Sequence, residues 1–303
     1  MKSLTDVQIK LPFGEALQRF SNVNTKDLTE TEAEEKNAAP FVKWVGGKRS
    51  IINELIVRLP KEFNEYYEPF VGGGALFFEL QNKIKKAHLS DMNLDLIMTY
   101  QIIKKRCEEL IKALEEHSKK HSEEYYYKVR TKHDFEDPVK IAARLIYLNR
   151  TCYNGLFRTN KKGEFNVPFG RYSNPDIIRK EQLRACSKAL QKVTIKYQDF
   201  AKTNPTSKDF VYFDPPYHPT NETSFTTYTK GDFSEQDQTR LRDFIVELNK
   251  KGVLIMLSNS DTEFIRSIYK NNLFKIAFVN APRSVNCKAD KRNPTREVLI
   301  TNY

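Results

Sequence analysis

Apolar and polar positions change period several times along the chain, and each change marks an element. Phe210-Val-Tyr-Phe213 is a short unbroken apolar run of β-forming residues, the pattern of a strand buried on both faces. It stops at Asp214-Pro-Pro-Tyr217, where neither proline can extend a ladder or a helix. Further strands are predicted before the glycines that follow Tyr66-Tyr-Glu-Pro-Phe-Val71, at His88–Asp91, at Val253–Leu257, near Phe274–Val279 and at Val298–Thr301, the last two as an antiparallel hairpin.

Helical spacing appears at Ile51, Ile52, Leu55, Ile56 and Leu59, and again at Leu76–Leu80. Residues 94–130 read as one or two helices, and Asp137-Pro138 caps another through Ile141, Leu145 and Leu148. Ser234, with Asp237 three residues on, opens a helix through Leu241, Phe244 and Leu248 to Gly252. Phe13, Leu17 and Phe20 could share one face of a short helix, and the polar run from Asp27 to Lys36 suits a linker. Strands and helices on both sides of a helix-only middle predict an α/β sheet with an inserted helical subdomain.

The strand ends carry the candidate chemistry. Asp214 and Tyr217 fall at a carboxyl end, where open α/β sheets bind ligands, so a carboxylate, freed carbonyls and a flat ring meet there. By itself the tetrapeptide is equally a capping Asp before a proline turn. Gly72-Gly-Gly74 lies between a strand and a helix without dinucleotide or phosphate-loop spacing, which favours an adenosine-type cofactor. Asp91 closes the next strand, the position of a ribose-binding acid. In Phe41-Val-Lys-Trp-Val-Gly-Gly-Lys-Arg49 the glycines permit close backbone approach, and Lys48 could meet a carboxylate. Ser258-Asn-Ser-Asp261 reads as another polar loop at a sheet end.

Charge points to the partner. The 303 residues carry a net charge of +11 with a pI near 9.3, which suits an anionic partner, nucleic acid first. Residues 1–40 hold five Lys/Arg against seven Asp/Glu, whereas Lys128–Tyr172 hold ten Lys/Arg against four Asp/Glu, interleaved with aromatics and glycines. That mixture in a predicted hairpin supplies phosphate contacts, a wedge for a base step and base-edge donors. Ala281–Arg296, with five Lys/Arg and one Asp, predicts a second basic loop. Four dispersed cysteines, without a Cys-x-x-Cys pair or a His cluster, suggest neither a disulfide framework nor a zinc site. With neither a signal pattern nor an apolar run of spanning length, a soluble cytoplasmic protein without membrane contact is expected.

Lys43-Trp-Val-Gly-Gly-Lys48, Glu68-Pro-Phe-Val-Gly-Gly-Gly74, Ser90-Asp91 and Asp214-Pro-Pro-Tyr217 stand in the order found in Dam-type (class alpha, D12 family) DNA adenine-N6 methyltransferases, which the chain from about Phe41 to Tyr303 resembles. Tyr153-Asn-Gly-Leu-Phe-Arg158 and Phe165-Asn-Val-Pro-Phe-Gly-Arg-Tyr172 look like the recognition hairpin of such enzymes acting on GATC, with GATATC as the alternative. The resemblance implies a Rossmann-like methyltransferase sheet with an inserted helical DNA-recognition subdomain and hairpin. It divides the chain into an extension (1–40), a catalytic domain (41–93 with 194–303) and a recognition domain (94–193).

By the same resemblance S-adenosyl-L-methionine is the cofactor, bound by Trp44, Gly46, Lys48, Phe70, Gly72, Gly74, Asp91, Asp199, Phe200 and Asp214. Asp214, Pro215, Pro216 and Tyr217 are the implied catalytic residues, acting on an adenine flipped from double-stranded DNA. Asp214 and the Pro215 carbonyl would accept the N6 hydrogens while Tyr217 stacks on the base, with no metal or nucleophile required. Tyr153 would wedge into the base stack; Asn154, Leu156 and Pro168 would contact neighbouring bases, Arg158 and Lys43 would each read a guanine, and Lys161 and Lys162 would attract phosphate. Arg171 and Tyr172 complete the DNA-binding set, and a cognate restriction endonuclease is the implied protein partner. The alternatives are a non-catalytic DNA-binding protein on this fold and an RNA adenine methyltransferase; intact Asp214 and Tyr217 speak against the first, the hairpin against the second.

Overall fold

The computed structural model describes residues 38–132, 136–160, 163–220, 233–281 and 295–303. The predicted helix face at Phe13, Leu17 and Phe20, the stretch to Lys36, the pair Lys161 and Lys162, and most of the basic loop after Ala281 lie outside these residues. Seven strands form one sheet in the order β3-β2-β1-β4-β5-β7-β6: β1 Tyr66–Glu68, β2 Ala87–Asp91, β3 Val193–Tyr197, β4 Phe210–Phe213, β5 Leu254–Ser260, β6 Lys275–Ala281 and β7 Thr295–Thr301. β1 to β5 run parallel, while β7 pairs antiparallel with both β5 and β6. The chain leaves the central β1 for β2 and β3, then returns to lay β4 on the other side of β1. That reversal is a topological switch point, and the loops after β1 and β4 leave the sheet side by side.

The period-2 alternation of strand side chains divides the interior in two. Phe210 and Tyr212 join one core, Val211 and Phe213 the other. The first core is shared with α1 (Ile52–Ile56), α2 (Ala75–Leu80), α3 (Leu94–Lys105), α4 (Cys107–Lys119), α5 (Glu123–Thr131), α6 (Pro138–Thr151) and α7 (Lys180–Ala189); the second is covered by α8 (Glu235–Lys250) and α9 (Glu263–Tyr269). Leu96, Ile97 and Tyr100 of α3 lie in the same core as Tyr66 of β1 and Tyr147 of α6, so the helical insertion is continuous with the sheet.

Local chemistry explains the boundaries. Where one or two helices were expected over 94–130 there are three, because Arg106 leaves helical geometry (φ −137°, ψ 40°) and Ser122 caps a new start by accepting from Tyr125 N. Asp137 accepts from Val139 N before Pro138, and Ser234 with Asp237 forms a reciprocal capping box. β5 runs beyond its predicted end. Ser258, Asn259 and Ser260 are strand residues, not a polar loop, because β7 pairs with them at Leu299, Val298 and Glu297. The edge strand β3 gave no strand signal, since only Val193 of its five residues is buried.

Candidate functional site

At the end of β4 the chain turns through Asp214-Pro-Pro-Tyr217, and the structure brings Lys48 onto it. Lys48 Nζ lies 2.8 Å from Asp214 Oδ1, with the two side chains 6% and 20% exposed. The same Nζ donates to the Gly46 carbonyl at 2.5 Å and stands 4.6 Å from the centre of the Tyr217 ring. Burial pushes the Asp214 carboxyl up to about 6; the charge of Lys48 pulls against that, and Glu297 adds to it. Tyr217 donates its hydroxyl to Glu297 Oε2 at 2.8 Å, so β7 fixes the tilt of the ring. The Pro216 carbonyl accepts from Gln238 Nε2 at 2.9 Å.

The loop after β1 forms the adjoining wall. Gly72 (φ +46°) and Gly74 (φ +67°) adopt left-handed backbone that side chains rarely take, and an added Cβ at Gly72 would stand 2.7 Å from the Trp44 ring. Asp91 Oδ2 accepts from Gly72 N at 3.0 Å and its Oδ1 from Asn93 N at 2.9 Å, while burial raises the carboxyl above its usual range. Asp91 therefore braces the glycine turn as well as ending β2. Tyr100 donates to the Gly72 carbonyl at 3.1 Å. Below the turn, Glu68 is 3% exposed and pushed up to about 8 by burial, and it accepts from Tyr66 at 2.8 Å.

Asp199 and Phe200 follow β3 at the same carboxyl edge. The Phe200 ring lies 5.5 Å from that of Phe70, and Arg240 grips both Asp199 oxygens at 2.9 and 3.0 Å. That grip was not foreseen, and it holds Asp199 below the usual carboxylate range. Three acids, an aromatic pair and a glycine turn thus line one edge. This donor set fits an adenosyl group, with acids for hydroxyls and an exocyclic amine and rings for a purine face.

The predicted hairpin follows α6. Bridges join Cys152 to Phe169 and Thr159 to Phe165, and Tyr153 N donates to the Pro168 carbonyl at 2.8 Å. Asn154 (φ 55°) and Arg171 (φ 49°) sit at its left-handed bends, and Tyr153 and Tyr172 are 44% and 38% exposed. Arg158 donates through Nε to Asn166 Oδ1 at 2.8 Å and through Nη2 to the Asn166 carbonyl at 3.5 Å, so Asn166 sets the direction of the guanidinium. Leu156 is only partly exposed, packed against the core. Lys43 approaches this loop, its Nζ 6.0 Å from the Tyr172 ring centre, and its side chain fills the space a Cβ at Gly155 would need.

Two residues join the hairpin to the pocket. Asn149, wholly buried, accepts from Lys43 N at 2.8 Å and donates to the Lys43 and Gly155 carbonyls at 2.8 and 3.1 Å. Trp44 stacks on Phe157 with ring centres 4.8 Å apart and presses its edge against Gly72. The sequence pointed to Trp44 but to neither Asn149 nor Glu297 as a site residue. A buried amide inside a helix and an acid in a strand have no local signature.

Residues 44–285 match the family model of the D12 class N6 adenine-specific DNA methyltransferase. The type II methyltransferase M.MjaIII of Methanocaldococcus jannaschii is 46% identical over 292 residues, spanning 87% of this chain and 99% of its own. M1.LlaDCHI of Lactococcus lactis subsp. cremoris, also named a type II methyltransferase, is 43% identical over 277 residues, covering 88% of this chain and 96% of its own. The DNA adenine methylase of Escherichia coli (strain K12) is 35% identical over 270 residues, covering 87% and 95%.

The Lys48 contact makes a prediction that needs no substrate. In the free protein the Asp214 carboxyl should titrate near 6, and in Lys48→Met its midpoint should move up, since the charge that favours the carboxylate is gone. Carboxyl-carbon NMR across the acid range checks this, and a midpoint that stays put or falls in Lys48→Met would discard the pairing.

Proposed function

The chain belongs to the D12 class of N6 adenine-specific DNA methyltransferases, and on that footing we propose a site-specific enzyme that methylates adenine in GATC, with GATATC as the runner-up site. The observation that carries the residue roles is the Asp214 turn. A half-buried carboxylate stands there next to the Pro215 carbonyl and a ring held by Glu297. S-adenosyl-L-methionine, the family's cofactor, supplies an electrophilic methyl group when bound. Trp44, Gly46, Phe70, the Gly72–Gly74 turn, Asp91, Asp199 and Phe200 are the residues that would hold it.

The chemistry assigned to the chain itself is acceptance and orientation. The N6 lone pair of adenine is delocalised into the ring, so attack needs the nitrogen to become pyramidal. Asp214 and the Pro215 carbonyl, each accepting one N6 hydrogen, favour that geometry and stabilise the positive charge that develops. Tyr217 gives the flipped base a face to stack on. Lys48 Nζ already occupies Asp214 Oδ1, so an entering amino group must compete with it or use the second oxygen. The N6 proton then leaves toward Asp214, whose raised pKa suits a transient acceptor.

Recognition falls to the hairpin. Tyr153, exposed at its bend, is the wedge; Asn154, Leu156 and Pro168 meet neighbouring bases. Arg158 reads one guanine and Lys43 another, while Lys161, Lys162, Arg171 and Tyr172 contact the backbone. In this reading residues 94–193 form the recognition domain, built into the core of the catalytic one. The type II names of the relatives support a cognate restriction endonuclease as partner.

Methylation-sensitive sequencing of DNA exposed to the protein and cofactor tests the site; a methylated motif without GAT would sink it. Asp214→Ala should retain cofactor and duplex binding yet lose nearly all methyl transfer, and wild-type turnover in that variant would remove the assigned role. Asp91→Ala should raise the cofactor Kd by roughly 10-fold or more, the scale of a lost charge-assisted hydrogen bond, measurable by calorimetry. Arg158→Ala should relax discrimination at one guanine, worth ~1–3 kcal/mol, more than it slows turnover on the best site. Profiling over a randomised duplex library reads this out, with an unchanged preference counting against it.

A further inference from the structure

Behind the Asp214 turn lies a buried polar chain that the roles above do not use. Gln238, one turn into α8, and Asn259, in β5, are both 0% exposed. Gln238 Nε2 donates to the Pro216 carbonyl at 2.9 Å, and Gln238 Oε1 accepts from Asn259 Nδ2 at 3.0 Å. Asn259 Oδ1 accepts from His218 N at 3.0 Å and Ser260 N at 2.9 Å, and the Ser260 hydroxyl donates to the His218 carbonyl. The two amides therefore hold the backbone on both sides of Tyr217. The amides satisfy backbone groups at the Pro216 carbonyl, His218 N and Ser260 N, which methionine or leucine would leave without these bonds. Beyond that satisfaction, the amides add direction.

The direction matters because the turn offers two consecutive carbonyls, of Pro215 and Pro216, and an amino group beside Asp214 can use only one. Gln238 takes the Pro216 carbonyl out of play, which leaves that of Pro215, the residue next to Asp214, for the amino group. We propose that Gln238 and Asn259 are positioning residues for methyl transfer. They pin the Pro216–His218 backbone so that Asp214 and the Pro215 carbonyl keep the spacing of a two-point acceptor for the amino group. The inference rests on the acceptor roles given above to Asp214 and Pro215.

The test uses the full chain as Gln238→Met, Gln238→Glu, Asn259→Asp and Asp214→Ala. Four quantities are measured: thermal midpoint, S-adenosylmethionine affinity by calorimetry, duplex affinity, and single-turnover methyl transfer to unmethylated bacterial genomic DNA. Gln238→Met should keep both affinities and lose on the order of 10²-fold in the single-turnover rate, the scale of a small misplacement of reacting groups. Gln238→Glu preserves the volume and the acceptor for Asn259, and once ionised at alkaline pH it has no donor for Pro216, so assayed there it should be as slow. Asn259→Asp keeps the acceptor for His218 and Ser260 and loses only the bond to Gln238, so it should fall between these and the wild type. If Gln238→Met does not fold, Gln238→Glu decides alone. Wild-type rates in the Gln238 variants beside an inactive Asp214→Ala would overturn the inference and spare the acceptor reading. A rate loss that merely follows cofactor affinity or thermal midpoint would overturn it too. Normal turnover in Asp214→Ala would instead remove the acceptor reading, and the positioning role with it.

Discussion

A carboxylate held mostly out of water is the constraint that organises this molecule. With Asp214 raised to about 6, keeping it ionised at neutral pH costs the fold about 3 kcal/mol by linkage, a cost relieved as the pH falls from there toward the ordinary value. That is about what burying one or two large apolar side chains contributes, and Phe210 and Phe213 on the same strand are fully buried. Lys48 limits the cost and belongs to the segment that enters between the hairpin and the glycine turn. The arrangement of strand, turn and first helix is thus tied to the charge it must accommodate.

The second theme is continuity between reading and chemistry. Asn149 fastens the Lys43 backbone to the end of α6, and Trp44 touches Phe157 on one side and Gly72 on the other. A shift of the hairpin has a path of packed atoms to the glycine turn and, through Lys48, to Asp214. Lys43 and Lys48 are five positions apart on the same loop.

Much of the architecture was legible because its signals are local. Phe210-Val-Tyr-Phe213 reads as a buried strand from composition, and Asp214 with two prolines fixes where it ends. Ser234, Asp237, Asp137 and Pro138 announced helix starts that the structure reproduces. What stayed hidden depends on distant partners. β3 is half exposed and lacks a clear pattern, and Ser258-Asn-Ser260 looks like a loop until β7 pairs with it. Glu297 meets Tyr217 across 80 positions, and Gln238 meets Pro216 across 22. The sequence displays the motif residues but not what grips them, because a grip is a property of tertiary packing.

The placement of β7 has a temporal side. It is the last strand in sequence among the described elements, yet it lies between β5 and β6 and brings Glu297 to the Asp214 turn. While a ribosome is still emitting the residues before it, β5 has an open flank, β6 has no neighbour to pair with, and Tyr217 lacks its anchor. Contacts of such long sequence separation form late. The Tyr217 ring therefore gains its anchor only once β7 has slotted in, which makes the tilt of that ring a property of the finished sheet and not of the turn alone.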